Sequence, residues 1–325
     1  MTDGASADAV AGAPAGAFAG ASADATDGAL AGASADATDG ALADASAGAT
    51  DGAFAGATDG AFAGATDGAA STATHGAAAG VDRVWTVVGG TAAGTSHLRS
   101  GLPCQDAVAW WQGPPGIVAA LADGAGSAAA SEIGAAAAVQ AVVTAFEHLG
   151  GRGRPGGPRL VQVLLRAARF AVLRAAAEHD RPPRDLACTL AVLVAGPDGV
   201  HAGQIGDGVV VARTAAGLDI AAPPLRGEYA NESTFLTTGP ALPEIEITSR
   251  PGSDVDAFAL SSDGLRLLIT HAGGRPYEPF FADVFEQIAA GATEEHLRRF
   301  LGEVDDRTGD DKSLIAAVRA VPDGR

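Results

Sequence analysis

The sequence predicts an α+β domain in which antiparallel β-sheets carry helices on their outer faces, preceded by a disordered N-terminal tail. Three observations lead there. Composition changes abruptly near residue 80. Beyond that point, short apolar runs bounded by Gly, Pro and Asp read as strands, and two longer stretches rich in Ala, Leu and Arg read as helices. Strands outnumber helices and often follow one another directly, which favours antiparallel pairing with helices packed outside.

The tail comes first. Residues 1–80 are almost entirely Ala, Gly, Ser, Thr and Asp, with only isolated Leu, Phe and Val. Such a segment buries too little apolar surface to offset its ordering entropy, so disorder is expected. Thr-Asp-Gly-Ala recurs from Thr26, Thr38 and Thr50 at a period of twelve, then from Thr58 and Thr66 at a period of eight. A solenoid repeat needs an apolar face in each unit, and most of these offer one Leu or Phe. A flexible acidic tether is the reading that composition supports.

Charge narrows the function classes. The 325-residue chain has a formal net charge of −18; ten Asp and no basic residue fall in the tail, which leaves −8 for residues 81–325. Clustered Lys and Arg, the footprint of nucleic-acid binding, are missing, so no nucleic-acid partner is expected. No apolar stretch reaches the ~18 residues of a membrane helix, and the start lacks a signal peptide's basic and apolar regions, so no membrane partner and a cytoplasmic location are expected. Cys104 and Cys188 are too few for a disulfide framework and read as reduced, structural thiols.

Within the domain, 81–320, strands are predicted at 84–88, 107–111, 117–122, 189–195, 200–205, 209–214, 257–261 and 314–318. Helices are predicted at 127–148 and 158–179, joined as a hairpin by a Gly- and Arg-rich loop, and at 264–270, 279–290 and 294–301. Several strands end in Asp-Gly: 117–122 at Asp123-Gly124, 200–205 at Asp207-Gly208, and 257–261 at Asp263-Gly264. Asp106 precedes one strand, and Asp310-Asp311 precedes the last. Each Asp-Gly alone is an ordinary turn. Together they suit a hard divalent cation, which takes carboxylate oxygens from several segments and leaves positions for water. A glycine next to the aspartate also lets a backbone carbonyl approach as a ligand.

These segments, in this order, resemble the metal-dependent protein phosphatases of type 2C. The resemblance runs from Thr91 to Val318 through Gln105-Asp106, Asp123-Gly124, Ser262-Asp263-Gly264 and Asp310-Asp311. Thr95-Ser-His-Leu-Arg-Ser-Gly-Leu-Pro-Cys-Gln-Asp106 and Gly227-Glu-Tyr-Ala-Asn-Glu-Ser-Thr-Phe-Leu-Thr237 are similar to a divergent bacterial subgroup of that family. The resemblance implies two stacked antiparallel sheets flanked by helices, an α-β-β-α sandwich. It also implies two divalent cations, Mn²⁺ or Mg²⁺, at one end of the sandwich, in a monomer that acts on phosphorylated proteins opposite a serine/threonine kinase. Carried over by position, Asp123 would bridge the cations and the Gly124 carbonyl would bind one. Asp263 and Asp310 would complete the other, and Asp106 would orient a water held by the metals. Asp207 and Asp311 would be structural.

Three positions depart from the family pattern. Ala125 stands where a proton-donating His is usual, Gly101 where a phosphate-binding Arg is usual, and Gln105 where an acidic residue is usual. His97 and Arg99 lie on the same segment and are candidates for proton donation and phosphate contact; the alternative for His97 is to cap or orient the loop. The departures also leave open a phosphatase-like module that binds phosphoproteins or a partner without hydrolysis. Retention of Asp123, Asp263 and Asp310 favours the enzyme, because clustered carboxylates are costly without cations. Asp185 is close to a family third-metal position but reads better as a helix-terminating residue. A dinucleotide fingerprint, suggested by Gly124-Ala-Gly-Ser-Ala-Ala129, lacks the second strand and acidic residue that it requires.

Overall fold

The structure, a computed structural model, describes residues 85–113, 116–149, 156–225, 234–239, 242, 244–305 and 307–319. The predicted tail, the first residues of the domain and residues 227–233 lie outside these. All strand pairs are antiparallel, and they form two five-stranded sheets. The first contains β1 (Trp85–Ala92), β6 (Val209–Thr214), β7 (Gly217–Ala222), β9 (Val255–Ser261) and β10 (Lys312–Arg319) in the order β1-β10-β9-β6-β7. The second contains β2 (Ala107–Gly113), β3 (Gly116–Ala122), β4 (Leu190–Gly196), β5 (Gly199–Ile205) and β8 (Thr248–Arg250) in the order β2-β3-β4-β5-β8.

The helices are α1 (Thr95–Ser100), α2 (Ser131–His148), α3 (Gly157–Glu178), α4 (Arg266–Ile269), α5 (Glu278–Ala289) and α6 (Glu294–Glu303). β3 shows why its run is apolar without interruption. Successive side chains point to opposite faces of a strand, and both faces of β3 are covered. Ile117, Ala119 and Leu121 join Phe258, Leu260 and Ile315 between the sheets. Val118, Ala120 and Ala122 join Val142, Phe146 and Leu164 beneath α2 and α3. A third cluster covers the other sheet's outer face, where Ala259 and Leu314 meet Phe281, Phe285 and Phe300 of α5 and α6. The order is therefore helix, sheet, sheet, helix, as the resemblance implies.

The differences from expectation have local causes. β8, Thr-Ser-Arg, has no apolar residue to announce it, and exposed Asp219 interrupts the apolar run of β7. α2 begins at Ser131 rather than 127, because the Ala130 N–H donates to the Asp185 carbonyl (2.8 Å) and holds the entry as a turn. α1 buries no side chain and so has no apolar periodicity to read. The chain's only lysine, Lys312, is buried, and its Nζ donates to the Val304 carbonyl that closes α6 (2.9 Å). A cation there complements the negative end of the helix dipole.

Candidate active site

Register brings the aspartates together. Ala107 pairs with Ala122, so Asp106 and Asp123 leave neighbouring strands side by side. Ser261 pairs with Leu314, and the Ser262 N–H donates to the Ser313 carbonyl (3.1 Å), so Asp263 lies beside Asp310-Asp311. Both pairs occupy the same end of the sandwich, since the charges of Asp106, Asp263 and Asp310 all act on Asp123.

Backbone bonds hold this end tightly. The Asp123 N–H donates to Thr189 Oγ1 (3.1 Å), and the Thr189 N–H donates back to the Asp123 carbonyl (2.8 Å). Gly124 then bridges Cys188, and the Ala125 N–H reaches the Ala187 carbonyl (2.9 Å), which extends β3 against β4. A Cβ on Gly124 would stand 2.7 Å from the Gln105 carbonyl oxygen and 2.8 Å from Ser131 Oγ, so only glycine fits. At Gly264 a Cβ would collide with the Asp311 carbonyl oxygen.

Asp311 is the hub of the neighbouring loops. Its Oδ1 accepts from the Gly94 N–H and from His97 Nδ1, both at 2.8 Å, and its Oδ2 accepts from the Gln105 N–H at 2.6 Å. With a carboxylate as acceptor, Nδ1 carries the ring proton. The carboxylate thus joins α1, the loop before Asp106 and β10. Arg99 is exposed on α1. Gly101 ends that helix in the left-handed conformation (φ 67°), which glycine tolerates best. Asp207 is 4.0 Å from Arg266, and its charge also acts on Asp263. Asp185 is held between Arg181 (3.7 Å) and Arg184 (3.9 Å), as suits a structural residue. Both cysteines are free, and burial pushes both thiols up, away from reactivity.

The electrostatics are those of an uncompensated anionic cluster. Burial, opposed by the nearby Ser313 and Ser262 hydroxyls and reinforced by Asp311 and Asp310, pushes Asp106 up to about 7. Burial, then the Asp106 and Asp263 charges, raises Asp123 well above the carboxylate range. Asp263 is raised too, chiefly by burial, while it accepts a hydrogen bond from Asp123. Among the described residues, no three His, Cys, Asp or Glu side chains already stand in a metal-ligating arrangement. Asp106 Oδ2 and Asp263 Oδ1 are buried without a hydrogen-bond partner. Buried polar atoms are seldom left so. Hard oxygen donors, mutual repulsion and orphaned acceptors together fit divalent cations.

Sequence reading gave no role to Thr189, whose hydroxyl and N–H fix the Asp123 backbone, or to Ser262 and Ser313 beside Asp106. The signal for Ser313 was present. Ile315 and Ala317 of β10 face the space between the sheets, so alternation turns Ser313 the same way.

A model of the protein phosphatase 2C family matches residues 93–302. Serine/threonine-protein phosphatase 3 of Escherichia coli strain K12 is 33% identical over 250 residues, 73% of this chain and 99% of that protein. Among solved structures, the serine/threonine phosphatase Stp1 from Staphylococcus aureus superposes with a TM-score of 0.56 at 13% identity, over 75% of this chain and 98% of that one. The catalytic domain of the serine/threonine protein phosphatase PstP, in complex with two manganese ions, superposes with a TM-score of 0.51 at 19% identity, over 74% and 100%.

Proposed function

Because the chain belongs to the protein phosphatase 2C family and is a phosphoprotein phosphatase, we propose that it hydrolyses phosphoserine and phosphothreonine esters with two divalent cations, Mn²⁺ or Mg²⁺. The observation that carries this reading is the convergence of Asp106, Asp123 and Asp263 at one end of the sandwich, each raised from its ordinary carboxylate value by burial and, in part, by its neighbours. Asp123, the Gly124 carbonyl, Asp263 and Asp310 would hold the cations. Cations bound there would supply Lewis acidity, making water acidic enough to react near neutral pH and neutralising charge on the phosphoryl group.

The chain's own residues then have distinct tasks. Asp106 Oδ2, buried and without a partner, accepts a hydrogen bond from the attacking water and orients it. Water adds to phosphorus as the ester P–O bond breaks, giving phosphate and the free hydroxyl of Ser or Thr. His97, with Nδ1–H fixed on Asp311, has Nε2 for proton transfer: as the imidazolium it gives its Nε2 proton to the departing oxygen and takes a replacement from solvent. Arg99 supplies a planar cation for the phosphate oxygens. The substrate is a protein phosphorylated by a serine/threonine kinase, met in the cytoplasm by a monomeric enzyme.

The test is turnover of p-nitrophenyl phosphate and a phosphothreonine peptide with Mn²⁺ or Mg²⁺, alongside calorimetric titration of Mn²⁺. Asp123→Asn and Asp263→Asn should each lose at least about a hundredfold in turnover and bind the cation more weakly. Full activity in both variants rejects the ligand assignment. An inactive native chain that still binds Mn²⁺ favours the binding-only module. His97→Ala and Arg99→Ala should each lose about tenfold to a hundredfold, and unchanged turnover removes their assigned tasks.

A further inference from the structure

Four large hydrophobic side chains are exposed among the described residues, and three of them stand on segments that carry the site. Leu98, 67% exposed, lies on α1 next to His97. Leu102, 49% exposed, donates its N–H to the His97 carbonyl (3.0 Å) and precedes Asp106 by four residues. Leu267, 44% exposed, lies on α4, four residues beyond Asp263. Phe170, on α3, is the exception. A single exposed leucine is ordinary. Three on the segments that bear the aspartates are not explained by chance scatter, because apolar surface exposed on site-bearing segments marks an interaction surface.

The rest of α1 points the same way. It buries none of its side chains, so Leu98 and Arg99 contribute nothing to the core. The segment is nevertheless anchored in its first half: the Ser96 N–H donates to the Gly309 carbonyl (2.9 Å), and His97 is bound to Asp311. A rigid element that presents its side chains to solvent is built to meet something. Arg99 lies between the two leucines, and no hydrogen bond or ion pair joins it to another described residue.

From the phosphatase reading, on which this rests, we infer that the rim formed by Leu98, Arg99, Leu102 and Leu267 docks the substrate segment, selecting phosphorylated stretches with aliphatic residues beside the phosphorylated one. The complementarity is specific in sign. Arg99 offers a cation to the phosphate, whereas the crowded carboxylates and the acidic domain repel acidic neighbours of the phosphorylated residue. Leucines covered by aliphatic neighbours gain apolar burial.

Three phosphothreonine peptides of equal length, flanked by Leu, Ser or Asp, distinguish the outcomes, using the full chain with Mn²⁺. The Leu-flanked peptide should exceed the Ser-flanked one in kcat/KM by about fivefold to tenfold, the order expected when one or two aliphatic side chains are covered. The Asp-flanked peptide should be the poorest. In the Leu98→Ser/Leu102→Ser chain the Leu-to-Ser ratio should fall towards one, while a merely misfolded chain would lower both peptides alike and keep the ratio. No preference in the native chain, or an unchanged ratio in a variant that turns over the Ser-flanked peptide as the native chain does, overturns the inference. Fluorescence anisotropy of the same labelled peptides reads the contrast without turnover. Binding contrast without hydrolysis sinks the phosphatase reading and keeps the docking surface; hydrolysis without contrast does the reverse.

Discussion

The layers between and outside the sheets and the aspartate end of the sandwich obey opposite rules. In the layers the longer strands and helices meet their neighbours through matching apolar faces, and local pattern agrees with global packing. At the aspartate end, carboxylates from separate segments are driven together, shifted by burial and mutual repulsion, with two oxygens left unpartnered. The apolar layers therefore supply the stability that holds an unfavourable cluster in place. Loss at one end should appear as unfolding and loss at the other as inactivity.

The comparison breaks if core variants do not unfold the domain. Phe258, fully buried between the sheets and 5.1 Å from the Trp85 ring, should cost about 3–5 kcal/mol when changed to Ala, read as a lower urea midpoint. Asp311→Ala tests the seam between the two regions. It strands the N–H groups of Gly94 and Gln105 and frees His97, so about 2–4 kcal/mol of stability and much of the turnover should go together.

A subtler test uses pH on the chelated chain. A carboxyl whose folded value is raised keeps its proton longer in the fold than in the unfolded chain. The folded state then binds more protons between the two values, and stability falls as pH rises through that window. For Asp106 the window runs from the ordinary carboxylate range to about 7. The melting temperature in EDTA should fall across it, saturating Mn²⁺ should reverse the fall, and Asp106→Asn should flatten it. A melting curve that rises through the same window contradicts the uncompensated cluster. At the small end, Arg174→Ala removes an exposed pair with Glu178 (3.6 Å) and should move stability by under about 0.5 kcal/mol.

Much of this was legible because alternation and helical periodicity are local. β3 could be found from six residues, and its Asp-Gly ending marked Asp123 before any partner was known. What lay beyond reach depended on distant pairing. Thr189 matters because β4 places it across from Asp123, and Asp311 matters because its two oxygens meet three residues more than 200 positions away in the chain. β8 is three residues long, and only its ladder with β5 makes it a strand. Gly101 is explained by a backbone angle that composition does not encode.

The burial of Lys312 reaches past the helix that it caps. It is the only lysine in the chain, so the surface displays guanidinium groups and no lysine amine. Acetylation and other lysine-directed modifications find no exposed target, and arginine guanidinium groups keep their charge throughout the physiological pH range. Control over this protein through its cations would have to act on arginine.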